Sequence, residues 1–321
     1  MMNKKSKKHA HLEKTMSVSD AIQIILRHNL DYLAEWEQAA RCLDDIEGVH
    51  QTRVAFRRMR SALTIFRMVI PKEVSKTWAD KMRDLAGQLG RARDLDVFID
   101  EALSSIHGKL PLPGAAGLEA LVYKQRETVH EEVHSMFDSE QYARFKTEFG
   151  RWVDNRGWEQ ADLKKKQHKL REGSLISFAF KVLDRQERRV LEAGAHVNKH
   201  SAKDMHRLRI ECKKLRYATE FFFPIFAGMD EFIGHMKGLQ DLLGVMNDVA
   251  VMYDMLEELL AGAKDPEVQQ YAGGIMGWRS CYYNELLFGF DRRWEEFVDA
   301  KHPWWKKAAL AQYNPINMEA E

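Results

Sequence analysis

Between Val49 and Phe66 the chain reads VHQTRVAFRRMRSALTIF. One histidine, His50, and four arginines, Arg53, Arg57, Arg58 and Arg60, crowd into this stretch. From Glu47 to Glu73 no Asp or Glu intervenes. Guanidinium groups present planar, bidentate donors that fit phosphate oxygens, and imidazole adds a donor whose charge depends on pH. Like charges at i,i+4 cost an isolated helix about 0.2–0.5 kcal/mol per pair, so an amphipathic helix in water normally intersperses Glu. A line of cations left uncompensated has the chemistry of a site for a polyanion. The plainer reading is a solvated face, or charges neutralised by acids on neighbouring helices.

The pattern occurs twice. MHRLRIECKKLRYATEFF, Met205 to Phe222, lies over the first stretch without a gap. His206 falls on His50, Arg209 on Arg53, Lys213 and Lys214 on Arg57 and Arg58, and Arg216 on Arg60, at an offset of 156. A second pair follows: LAGQLGRARDLDV (Leu85–Val97) matches LQDLLGVMNDVAV (Leu239–Val251) at an offset of 154. At that offset Arg83 and Lys237 are equivalent and extend the basic surface, whereas Arg91 and Arg93 have no basic counterparts. Gly90 and Gly244 read as residues that end helices, and Asp94 and Asp248 as N-caps of the next ones. Two matched segments in one order predict an internal duplication, with units large enough to hold a core.

An α-helix turns about 100° per residue. Val49, Thr52, Phe56, Met59, Leu63 and Phe66 then share one apolar stripe, as do Met205, Leu208, Cys212, Leu215, Thr219 and Phe222. One position on, His50, Arg53, Arg57 and Arg60 form a second stripe about 80° wide and about 15 Å long. Its counterpart is His206, Arg209, Lys213 and Arg216. Charge therefore runs in a line beside each core seam.

The elements that must position these stripes are helices. Ala, Leu, Met, Glu, Lys and Arg dominate, alternation is short, and the 7 prolines sit where helices would begin or end. The periodicity predicts helices over about 18–42, 49–70, 72–89, 94–107, 115–137, 139–156, 174–197, 203–226, 229–243, 248–263, 266–287 and 290–309. Residues 1–16 read as a disordered basic tail, 17–160 as a first helical repeat and 161–173 as a charged linker. Ser174 then caps a second repeat over 174–310, followed by a C-terminal tail, 311–321. The two repeats form one all-α domain: antiparallel bundles related by a pseudo-two-fold axis, with a basic groove or pore between them.

Composition narrows the function. The 321 residues hold 49 Lys+Arg and 48 Asp+Glu, so net charge alone implies no nucleic-acid or membrane partner. Three scattered cysteines form no CxxC pair and fit a reducing compartment. No apolar run approaches the roughly 18 residues of a membrane span, and the basic start lacks a secretory core. A cytoplasmic location is expected.

With these motifs in view, VHQTRVAFRRMRSAL with LGRARDLDV, and MHRLRIECKKLRYATE with LLGVMNDVAV, resemble the CHAD domain, the conserved histidine α-helical domain. The resemblance runs from about residue 18 to about 310. Thr52 and Met59 stand where the family more often has leucine, both on the apolar stripe. The resemblance implies two pseudo-symmetric helical bundles around a basic groove or pore, binding of inorganic polyphosphate, and association with polyphosphate granules. It also implies ligand contacts at His50, Arg53, Arg57, Arg58 and Arg60, and at His206, Arg209, Lys213, Lys214 and Arg216. Some relatives carry a fused catalytic domain with a Glu-x-Glu-x-Lys motif, which does not occur in this sequence.

The expected function is thus non-catalytic, with no metal and no cofactor. Two other classes compete. A metal-dependent phosphohydrolase built on the motif histidines would want ligands at i+3 or i+4, where Arg53, Val54, Arg209 and Ile210 stand instead. His9 and His11, in the tail, could hold metal only weakly. A nucleic-acid backbone binder would tolerate the same stripe, but no familiar reading module occurs.

Overall fold

A computed structural model of the chain describes residues 9–305. Among the described residues the fold is all helical: α1 (Val18–Ala40), α2 (Ile46–Ile65), α3 (Lys72–Gln88), α4 (Gly90–Val97), α5 (Ala115–Asp138), α6 (Glu140–Asp154), α7 (Lys165–Arg171), α8 (Leu175–Ala195), α9 (Ala202–Phe222), α10 (Met229–Leu260) and α11 (Pro266–Val298). Local signals set most starts. Ser17 and Asp20 form a capping box on α1, Asp45 accepts from Glu47 and Gly48 backbone N–H groups on α2, and Ser201 accepts from Asp204 N–H on α9.

Every residue of the two predicted apolar stripes is buried. On α2 the stripe faces a core shared with α1, which buries Ala21, Ile22, Ile25, Leu26 and Leu33. The start of α2 is held tightly. A Cβ on Gly48 would lie 2.2 Å from the Ala39 carbonyl carbon, so only glycine lets the helix begin against the α1 backbone, two residues before His50. The Phe66 ring stacks on Phe178 (5.2 Å) and meets Phe222 edge-on (6.1 Å). This aromatic junction joins α2, α8 and α9, and one continuous hydrophobic core runs through both halves. The starts of α1 and α8 lie side by side, with Val18 N–H donating to Gly173 (3.3 Å) and Leu175 N–H to Met16 (3.1 Å).

Several sequence-based expectations need correction. Gly90 does sit at a break, since α3 stops at Gln88 and α4 starts at Gly90. Gly244 does not: α10 runs unbroken through it, so the helices expected at 229–243 and 248–263 are one. An interior glycine costs only about 1 kcal/mol, and the buried Leu239, Leu243 and Met246 of that helix offset it. Asp94 and Asp248 consequently lie inside helices and cap nothing. The segment expected at 94–107 begins earlier and loosens into a π-helical turn, Phe98–Ser104. Similarly, α11 fuses the expected 266–287 helix with the first part of 290–309, whose last residues lie outside those described. The linker 161–173 contains α7, and Ser174 occupies an N-cap position without using its side chain. Residues 9–16 are no loose tail: Ala10 and Leu12 are buried, and His9 stacks on Phe223 at 4.5 Å. The rest of the expected N-terminal tail and the tail at 311–321 lie outside the described residues.

Removing the aromatic junction should reveal how far the two halves share stability. Phe66→Ala is expected to cost about 3–5 kcal/mol in denaturant unfolding monitored by far-UV circular dichroism, while keeping one cooperative transition. Two separated transitions in the variant would contradict the shared core.

Candidate polyanion site

The basic edges of α2 and α9 meet where the helices pack. The Arg57 guanidinium lies 5.9 Å from the centre of the Tyr217 ring, and the Arg216 guanidinium 5.4 Å from the same ring. Beside them Arg58 reaches across from α2 to Glu220 on α9 at 2.8 Å, both side chains largely buried. Glu220 also stands 3.3 Å from Arg216 Nε. That approach is close enough for attraction, yet it is not aligned as a hydrogen bond.

Electrostatic coupling extends this group along both helices. Lys213 is pushed down to about 7, first by burial and then by Arg209, Arg57 and Arg216. Burial likewise lowers Arg209, with Arg57 and Arg216 adding to the effect and Asp248 opposing it. Arg53 is lowered by burial, Arg57 and Arg93, and Asp94 opposes that shift. His50 is pushed down to about 4 by burial, assisted by Arg93, Arg57 and Arg53. It is therefore a neutral imidazole near pH 7, and the pH-dependent charge expected of it falls outside the neutral range. Asp94 itself is raised, mainly by burial, with Asp248 contributing in the same direction.

Arg53 and Arg209, equivalent in the two motifs, are restrained differently. Arg53 Nη1 donates to the Ala86 carbonyl (2.7 Å), in the last turn of α3, where the helix leaves carbonyls without partners. Gly90 makes room for it, because a Cβ there would sit 3.2 Å from Arg53 Nη1. In the other half α10 has no break, and Arg209 instead approaches Asp248 at 3.9 Å.

Of the residues singled out in the sequence, His50, Arg53, Arg57, Arg209, Lys213 and Arg216 are thus brought together. Of the remaining six, Arg58 stays at the edge of the cluster and five are placed elsewhere. Arg58 is consumed by Glu220, and Lys214 pairs with Glu211 at 2.6 Å. Arg60 lies within electrostatic reach of Arg83 and Asp80, and Arg83 forms an ion pair with Asp80 at 2.6 Å. His206 and Lys237 stand exposed on α9 and α10. The sequence reading missed Arg93, Tyr217 and Glu220 as members of the site, and gave Asp94 and Asp248 the wrong task. They supply counter-charge to Arg53 and Arg209; their own recurrence, at an offset of 154 behind each motif, was the available signal. Among the described residues no group of three or more His, Cys, Asp and Glu side chains could hold a metal ion, and no helix is long and apolar enough to cross a membrane.

Lys213 gives the site a pH signature. From about pH 7 to about 10.5 the unfolded chain binds a proton that the folded chain does not, so stability rises with pH across that window. Below it the cost of charging Lys213 in the fold is fully present. Lys213→Met should abolish the gain: comparing denaturant stability at about pH 6 and about pH 9, wild type should rise relative to the variant. Parallel profiles would contradict the cationic crowding around Lys213.

Comparison with known proteins adds the family. The CHAD domain family model matches residues 24–257. The crystal structure of the CHAD domain from the plant Ricinus communis superposes with a TM-score of 0.77 at 25% identity, covering 92% of this chain and 97% of that one. PptA from Streptomyces chartreusis shares the fold, with a TM-score of 0.60 at 14% identity over 87% of this chain and 100% of that one. Uncharacterised proteins from two Mycobacterium tuberculosis strains, CDC 1551 / Oshkosh and ATCC 25618 / H37Rv, are each 24% identical over 268 residues. The alignment covers 80% of this chain and 49% of each of theirs, so the chain spans about half the length of the curated relatives it matches. With the family model covering most of its length and the plant domain matching end to end, the chain belongs to the CHAD domain family.

Proposed function

We propose that this chain binds inorganic polyphosphate without transforming it, through a basic groove between the two halves of an internally duplicated fold. Binding of this kind would target the protein to polyphosphate granules in the cytoplasm or organise them. The observation that carries the reading is the set of guanidinium groups and Lys213 that α2 and α9 bring together. Arg57, Arg209 and Arg216 each keep a buried Nε with no hydrogen-bond partner. Unpaired buried donors are costly, and a chain of phosphates offers each of them an acceptor. Repeating negative charge without base edges suits such a site. Tyr217, the aromatic residue at its centre, is 2% exposed and offers no face on which a base could stack, which disfavours single-stranded nucleic acid.

Replacing Arg53 and Arg209 together with Ala should weaken binding of long-chain polyphosphate at low salt by at least about tenfold, the scale of one charge-assisted hydrogen bond. Helicity should be kept. Arg144→Ala is the control: it removes only an exposed pair with Glu140 on α6 and should leave both stability and affinity nearly unchanged. Polyphosphate should also displace duplex DNA at equal phosphate concentration. Undiminished binding by the double variant, or preference for DNA, would overturn the proposal.

A further inference from the structure

Tyr217 is an uncharged side chain at the heart of the basic cluster. Its ring is packed between cations and the core, with Arg57 and Arg216 over it and Phe221 stacked at 6.5 Å. The residue is 2% exposed, and its hydroxyl has no hydrogen-bond partner. Three more buried donors nearby also make no hydrogen bond: the Nε atoms of Arg57, Arg209 and Arg216, the last with Glu220 at 3.3 Å but out of line. Arg209 lies within electrostatic reach of Tyr217, Arg57, Arg216 and Asp248, so these groups share one neighbourhood at the crossing of α2 and α9. A buried hydroxyl between hydrophobic rings would normally be replaced by Phe or bonded to a carbonyl. Here the groups over its ring are cations, which are donors only; the nearby carboxylates are engaged elsewhere, Glu220 with Arg58 and Asp248 opposite Arg209. The missing complement is an acceptor with several lone pairs and negative charge. One phosphoryl group supplies that through its non-bridging oxygens.

We propose that the crossing of α2 and α9 is an enclosed subsite for a single phosphate unit, in which the Tyr217 hydroxyl donates to a non-bridging oxygen held by Arg57, Arg209 and Arg216. The inference rests on the polyphosphate reading and deepens it, because it adds a binding residue that carries no charge and fixes the position of one unit of the chain. A short oligomer then finds its main anchor here, while a long chain has further contacts along both stripes.

The test compares wild type and Tyr217→Phe by calorimetric titration with tripolyphosphate and with long-chain polyphosphate. The variant should bind tripolyphosphate about tenfold more weakly, the scale expected for one hydrogen bond to a charged group. Long-chain affinity should fall less. Without ligand the variant should melt at the same temperature or higher, because removing an unsatisfied hydroxyl relieves a cost. Equal tripolyphosphate affinities, or a lower melting temperature with affinity unchanged, would assign Tyr217 a structural role and overturn the subsite. Wild type that binds long chains but not tripolyphosphate would also overturn it while leaving the polyphosphate reading intact. Wild type that binds neither would sink that reading itself.

Discussion

Cations gathered from two helices repel one another, and burial removes the water that would screen them. Arg53, Arg57, Arg209, Lys213 and Arg216 are held together at this cost, and the surrounding fold is arranged around meeting it. The apolar stripes one position away do most of the holding. Each sits fully in a core, so neither helix can turn its charges outward without exposing Phe56 and Met59 or Leu208 and Leu215. Glu220 ties the crossing shut by taking Arg58 from the opposite helix. Two half-buried carboxylates, Asp94 and Asp248, partly offset the charge without cancelling it. What remains is a cluster short of acceptors, which an arriving polyanion would complete.

The two halves solve the same problem by different means. In the first, the helix breaks before Gly90, and a free carbonyl at Ala86 receives Arg53. In the second, α10 continues, no such carbonyl is freed, and a carboxylate does the work at longer range. The exchange of Arg57 for Lys213 is also more than a swap of like for like. Guanidinium stays charged in almost any setting, whereas a half-buried ammonium surrounded by arginines gives up its proton near neutrality. The second half thereby responds to pH where the first does not.

Much of this was legible from residue order. Helical periodicity placed both apolar seams, because burial follows spacing closely when a helix packs on one side. The charged line beside them was equally visible. Partners distant in sequence were not. Nothing local distinguishes Arg58, which ends in an ion pair with Glu220, from Arg57, which faces the cluster, although one helix step separates them. Leu-Gly followed by Asp reads as a stop and a cap in both matched segments, yet continuous packing along α10 overrides the glycine in one of them. Tyr217 carries no charge and falls outside both stripes. Its relevance emerges only when α2 lays Arg57 over its ring.

A polyanion held by several cations at once, as proposed, would show directly in its dependence on salt. If long-chain polyphosphate is titrated against the protein over a range of ionic strength, the logarithm of the affinity should fall linearly with the logarithm of salt concentration. By analogy with counterion release from nucleic acids, the slope should correspond to several released ions, and the double replacement of Arg53 and Arg209 by Ala should make it shallower by about two. An affinity indifferent to salt, or a slope untouched by removing both arginines, would contradict the central claim.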